Sequence, residues 1–170
     1  MDRARHTLLP AVAASLLISL AMPQPAFAAA PQGVWIIEGG VAAIELLPCG
    51  DQLCGRIVGL QNPVDAAGNA RRDRYNPIAA KREALMCGLV VMQGFVPAGA
   101  GSWEGGSIYN PLDGQTYSGS LTVLSDNALR VRAYLGTPLF GRSQTWTRTR
   151  APGIGGMQTC PYFVAGSENR

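Results

Sequence analysis

Carboxylates are the side chains through which this chain could do acid–base chemistry. Asp65, Asp73 and Glu83 lie in or beside the long stretch 61–86, and Glu104 and Asp113 flank a strand-like run. Two of them meeting across a sugar would supply the acid and the base or nucleophile of a glycosidase. Nothing in their spacing forces that meeting, and acids in turns serve mostly as caps and Asx-turn formers. Asp65, Asn69 and Asp73 sketch a calcium loop, but the Asp-x-Asp-x-Asp-Gly order is missing. Histidine occurs once in 170 residues, as His6, inside a segment read below as a leader. With no imidazole in the remainder, a Ser-His-Asp triad, a Cys-His pair and His-ligated metal sites are excluded. No catalytic residue is assigned, and no metal or cofactor is expected.

The four cysteines carry a different chemistry. Cys49 and Cys54 bracket Gly50-Asp51-Gln52-Leu53, a turn between two strand-like runs, and a hairpin there sets the two sulfurs opposite each other. Cys87 and Cys160 are then left to pair. Four cysteines allow three pairings, and this one is favoured over the others. A zinc site fits poorly because no Cys-x2-Cys is present, and a redox-active Cys-x-x-Cys is absent too.

Disulfides suit an exported protein, and residues 1–28 read as a signal peptide. Arg3 and Arg5 precede an apolar stretch from Leu8 to Met22, and Ala26-Phe27-Ala28 is an Ala-x-Ala cleavage site. The expected location is the periplasm or the medium, with no membrane span once the leader is removed. The formal net charge of +3 falls by one without the leader, and Lys81 is the single lysine. So even a balance offers nothing to attract nucleic acid. Arg71-Arg72-Asp73-Arg74 reads as a solvated loop.

The elements that would position these groups are short strands. The chain holds 21 Gly and 12 Pro, and alternating runs separated by turn residues recur along it. Strands are expected at 34–38, 41–47, 55–60, 88–95, 102–109, 116–124, 129–135 and 141–148. Gly39-Gly40, Asn110-Pro111-Leu112-Asp113-Gly114 and Ser125-Asp126-Asn127 supply turn chemistry. The long connection 61–86 allows one helical turn near 78–84. The expected fold is all-β, an eight-stranded antiparallel up-and-down barrel over 29–150 with one long loop and an irregular tail at 151–170. A two-sheet sandwich is the alternative. Eight strands leave an interior filled by side chains or holding one small ligand.

If Trp146 faces inward, alternation brings Gln144 and Arg142 inward with it. Neighbouring runs add Tyr117, Gly119, Leu121 and Val123; Leu129, Val131, Ala133 and Leu135; and Trp103, Gly105, Ser107 and Tyr109. That lining is apolar and aromatic with a few polar groups, as small-molecule pockets are.

Certain motifs in this order resemble a known family. Gly33-Val34-Trp35, Cys49-Gly50-Asp51-Gln52-Leu53-Cys54-Gly55-Arg56-Ile57 and Trp103-Glu104-Gly105-Gly106-Ser107-Ile108-Tyr109 are similar to DUF2147, small exported bacterial proteins. The resemblance continues through Asp113-Gly114, Tyr117, Leu129-Arg130-Val131-Arg132, Leu139-Phe140-Gly141-Arg142 and Gln144-Thr145-Trp146-Thr147-Arg148. It implies a calycin-like (lipocalin-type) barrel and no established activity. It also implies that Arg148 covers Trp35 at a closed end, a structural cation–π plug. Asn62, Asp73, Asn76 and Arg82 match family positions in the long loop. Ala133, Gln115 and Ala84-Leu85 depart from the family pattern, where glycine, lysine and Arg-Pro are usual.

The expected function is to bind a small apolar or amphipathic molecule inside a monomeric barrel. Arg142, Gln144 and Tyr109 are the expected polar anchors, Trp103 and Tyr117 the lining, and Asn76 and Arg82 the loop contacts. The alternative is a filled barrel acting as an envelope protein–protein interaction module. A carboxylate-based hydrolase comes third.

Overall fold

The computed structural model describes residues 31–99, 101–149 and 157–160. The expected signal peptide and most of the expected tail lie outside the described residues. Alternation of apolar and polar side chains drives strand formation throughout. In the strand Ala128–Tyr134, for example, Leu129 and Val131 are buried while Arg130 between them is exposed.

Eight strands form one antiparallel meander: β1 (Gly33–Ile36), β2 (Ala42–Cys49), β3 (Gln52–Leu60), β4 (Val90–Pro97), β5 (Ser102–Asn110), β6 (Gln115–Ser125), β7 (Ala128–Tyr134) and β8 (Arg142–Thr149). Each pairs with the next, and β1 closes the ring by pairing Val34, Trp35 and Ile36 with Thr149, Arg148 and Thr147 of β8. The sandwich alternative is thereby set aside. Closure gives every strand of the meander a partner on both sides.

The meander gives the barrel two unlike ends. One end carries the short connections: Gly50-Asp51, the 98–101 turn and Asp126-Asn127. The other carries 37–41, 111–114, 135–141 and the long 61–89 loop, within which only Ala79–Lys81 turns as a 3-10 helix.

At the short-turn end the interior is solid. Trp35, Leu46, Leu53, Phe95, Leu121 and Leu129 are buried there, and Trp103 joins them. Arg148 lies across the Trp35 ring, 4.2 Å from its centroid. Its guanidinium donates to the carbonyls of Asp126 (2.6 Å) and Gln32, tying three chain segments over the plug. Gly33 is required beneath it: its φ is +118°, and a Cβ would come within 2.7 Å of Arg148 Nη1.

Both disulfides form in the favoured pairing. The turn at Cys49–Cys54 is tighter than the bracketing residues suggested. Cys49 sits opposite Gln52 and Cys54 opposite Leu47, so the cysteines are diagonal neighbours with Cα atoms 5.9 Å apart. Cys87–Cys160, with Cα atoms 5.5 Å apart, ties the end of the 61–89 loop, just before β4, to the tail.

The tail is not wholly irregular. A ninth strand, β9 (Gln158–Thr159), pairs with Gly59 and Leu60 of β3, beyond the point where β4 leaves it. Met157 covers Ala43 and Val58 on the outer face of the barrel. That explains why β3 ends in four consecutive buried residues, Ile57 to Leu60, rather than alternating.

A bulge alters the expected facing in β5. Gly105 takes φ +73°, and the register slips between Trp103 and Gly106. The phase beyond it reverses: Gly106 and Ile108 face the interior, correcting the expectation for Gly105 and Ser107.

Candidate functional site

The half of the barrel nearer the long loop is hollow. A cavity of about 880 Å³ opens between the loops and narrows onto the packed half. Its walls are apolar: Ile44 and Ile57, Val91 and Met92, Ile108, Val131 and Trp146 point into it from six strands. Val41, Leu112, Leu135 and Phe140 ring its mouth. Leu139 and Phe140 stand 82% and 80% exposed on the 3-10 turn Pro138–Phe140. They are the two most exposed large apolar side chains among the described residues.

The polar groups gather near the mouth. Alternation along β8 brings Arg142 and Gln144 to the cavity with Trp146, as expected. Gln144 Oε1 accepts the Trp146 indole N–H at 3.0 Å, which orients the amide so that its NH2 remains available. Arg142, exposed at the rim, is paired through its backbone with Ala133 of β7, and its guanidinium makes no hydrogen bond or ion pair among the described residues. Among the described residues Glu38 is the one carboxylate lining the cavity, and its Oε2 accepts the Thr145 backbone N–H at 2.9 Å.

Tyr109 and Tyr117 also line the cavity, but both hydroxyls are engaged. Tyr117 donates to Asp113 Oδ2 at 3.0 Å. Partial burial pulls the Asp113 carboxyl upward, yet the Gln115 N–H, the Tyr117 hydroxyl and the Asn110 amide outweigh it and hold that group below the usual range. Tyr109 donates to Asp73 Oδ1 at 2.6 Å. Asp73 is 0% exposed and also receives the Asn76 amide at 2.6 Å. Burial, then the Asp73 hydrogen bond and charge, push the Tyr109 phenol up to about 12.

This cluster latches the long loop to the barrel. A Cβ on Gly114, whose φ is +72°, would lie 2.0 Å from the Tyr75 carbonyl, so the loop also packs closely on the β5–β6 turn. Asn76 and Arg82 do not line the cavity. Asn76 braces Asp73 and accepts the Ile78 N–H at 2.9 Å, while Arg82 Nε donates to the Asn76 carbonyl at 2.8 Å. Trp103 is likewise away from the cavity, in the packed half.

Tyr109→Phe leaves the buried Asp73 carboxylate short of a donor, at an expected cost of about 1.5–3 kcal/mol in urea unfolding. The folded phenol titrates near 12 against an ordinary 10.0. The stabilisation is therefore complete below pH 10 and disappears as pH rises towards 12. The gap between wild type and variant should narrow over that interval; a constant gap would contradict the latch.

The other acids are accounted for elsewhere. Asp65 is drawn below its usual range, chiefly by the Asn69 N–H, against a small burial effect and with help from the Ala67 N–H. It is an Asx-type turn former. Glu83 lies 3.5 Å from Arg72 on the surface, and Glu104 is exposed. No group of three or more metal-ligating side chains occurs among the described residues, and no described helix is long and apolar enough to cross a membrane.

Sequence reasoning missed Arg71. It reads as a solvated cluster, but its side chain lines the cavity and its Nε donates to the Asn62 carbonyl at 2.7 Å. No local pattern announces that position, because the loop's path is set by the Asp73 latch. Glu38 was also missed, though its place in the Gly39-Gly40 turn puts it at a barrel rim.

A family model described as an uncharacterized protein conserved in bacteria, DUF2147, matches residues 33–148. No curated protein matches the chain. A solved structure, HP1028 from the human pathogen Helicobacter pylori, described as belonging to the lipocalin family, superposes with a TM-score of 0.64 at 20% identity. The match covers 79% of this chain and 92% of that one.

Proposed function

Because the chain belongs to the DUF2147 family and folds as a lipocalin-like barrel, we propose that it is an exported, non-catalytic carrier of a small apolar or amphipathic molecule. The observation that carries this reading is the cavity of about 880 Å³ with its apolar walls. The volume lies within the range of small-molecule sites. Burial of alkyl or ring carbons against Ile44, Met92, Ile108, Val131 and Trp146 supplies the affinity, at roughly 25 cal/mol per Å² of apolar surface removed from water. Arg142 and Gln144 orient the polar end. Two disulfides favour an oxidising compartment such as the periplasm.

An interaction module built on a filled barrel draws less support, since only half of this interior is filled. The hydrolase reading lacks a paired carboxylate: Glu38 lines the cavity without a second acid beside it.

The test is a titration with the neutral, apolar fluorophore N-phenyl-1-naphthylamine. One molecule per protein should bind with enhanced emission, and Ala133→Trp should abolish the signal by filling the cavity while leaving the circular dichroism spectrum unchanged. Binding that survives Ala133→Trp, or no binding to the folded wild type, would refute the carrier reading.

A further inference from the structure

The charge at the mouth narrows the ligand class. Arg142 stands at the start of β8 as an exposed residue of the cavity lining, and its guanidinium makes no hydrogen bond or ion pair among the described residues. Arg71 approaches the same cavity from the long loop, holding the Asn62 carbonyl with Nε and leaving its two terminal nitrogens without a partner among the described residues. Gln144 adds an oriented NH2. The opposing charge, Glu38, already accepts the Thr145 N–H. Available donors at the rim therefore outnumber available acceptors, and the cationic groups outnumber the anionic one.

Resting on the carrier reading, we infer that the ligand is an amphiphile with an anionic head, a carboxylate or a phosphate monoester, held by Arg142 and Arg71 over a buried alkyl tail. Guanidinium groups suit both heads because their N–H forks match pairs of anionic oxygens. The tail has somewhere to go: from Arg142 to Trp146, β8 descends about 13 Å along the cavity wall. The apolar ring of Leu112, Leu135 and Phe140 gives a chain a greasy entry past the charged rim.

The experiment is calorimetric titration of wild type and Arg142→Gln at neutral pH with decanoate, decyl phosphate, decanol and decyltrimethylammonium, with inorganic phosphate as competitor. The expected result is that at least one anionic amphiphile binds wild type roughly tenfold or more tightly than decanol. Arg142→Gln should erase most of that preference, weakening the anionic amphiphiles at least tenfold more than decanol. Whether decanoate or decyl phosphate binds better separates fatty-acid-like from phospholipid-like heads.

Equal affinity for the acids and decanol, a preference for the trimethylammonium head, or an anionic preference untouched in Arg142→Gln would each overturn the inference. Full competition by inorganic phosphate at the amphiphile's own concentration would overturn it as well, by removing the role of the tail. The carrier reading survives any outcome in which decanol binds. If none of the decyl compounds binds, both fall.

Discussion

Phe95→Ala is expected to destabilise the protein by about 3–5 kcal/mol, measured by urea unfolding, and to deepen the cavity. Phe95 is 1% exposed, and its ring occupies space that two glycines leave for it. A Cβ on Gly106 would come within 2.3 Å of the ring, and one on Gly119 within 2.9 Å. The side chain thus reaches from β4 across β5 to β6, beneath Ile108 and Met92, which line the cavity. It forms part of the floor between the packed and hollow halves. Two of the facing positions are glycines, which have no side chain to move into the void. The folded variant should consequently accept longer apolar probes than wild type does. Phe95→Leu, which retains most of the volume, should recover much of the lost stability. A loss below about 1 kcal/mol for the alanine variant would show that the floor is not packed as described.

The second large effect belongs to the tail. Replacing Cys87 and Cys160 together by serine removes a crosslink between positions 73 residues apart. The chain-entropy relation assigns such a loop about 4 kcal/mol, against about 2 kcal/mol for the short Cys49–Cys54 loop. The expected outcome is a much larger drop in unfolding free energy for the Cys87/Cys160 pair than for the Cys49/Cys54 pair. Protease cleavage near Met157 should also rise selectively in the first variant, because β9 holds β3 through only two residue pairs. Equal losses for the two pairs would show that the tail adds no long-range constraint.

Much of this architecture is legible in the sequence because the strands alternate and their turns carry Gly, Asn and Asp. Arg142, Gln144 and Trp146 sit two residues apart, so a single assumption about Trp146 places all three correctly. The reading fails wherever placement depends on contacts distant in sequence or on backbone that breaks the period. The bulge at Gly105 reverses the facing of Ser107 and Ile108, and nothing in Glu104-Gly105-Gly106 shows on which glycine the phase will turn. Tyr109 reads as a ligand anchor because it lies near the barrel mouth. Its hydroxyl instead bonds Asp73, 36 residues away, in a loop with no regular pattern. Asn76 and Arg82 follow Asp73 into that role for the same reason. The run Ile57–Val58–Gly59–Leu60 is buried on both faces, and its outer cover is the tail, which carries few strand signals of its own.

The seam between β1 and β8 has a temporal meaning. Every other joint of the ring links strands adjacent in the chain, most of them through short turns, with the 61–89 loop between β3 and β4 the exception. The seam joins Trp35 to Arg148, across nearly the whole length of the barrel sequence. Pairing at such separation carries a large loop-closure entropy and comes late. The first strand to emerge must therefore wait, with Trp35 uncovered, until the last strand arrives. Closing the ring is thus expected late in folding, and quenching or shift of Trp35 emission as Arg148 settles over the ring is the signal that would time it.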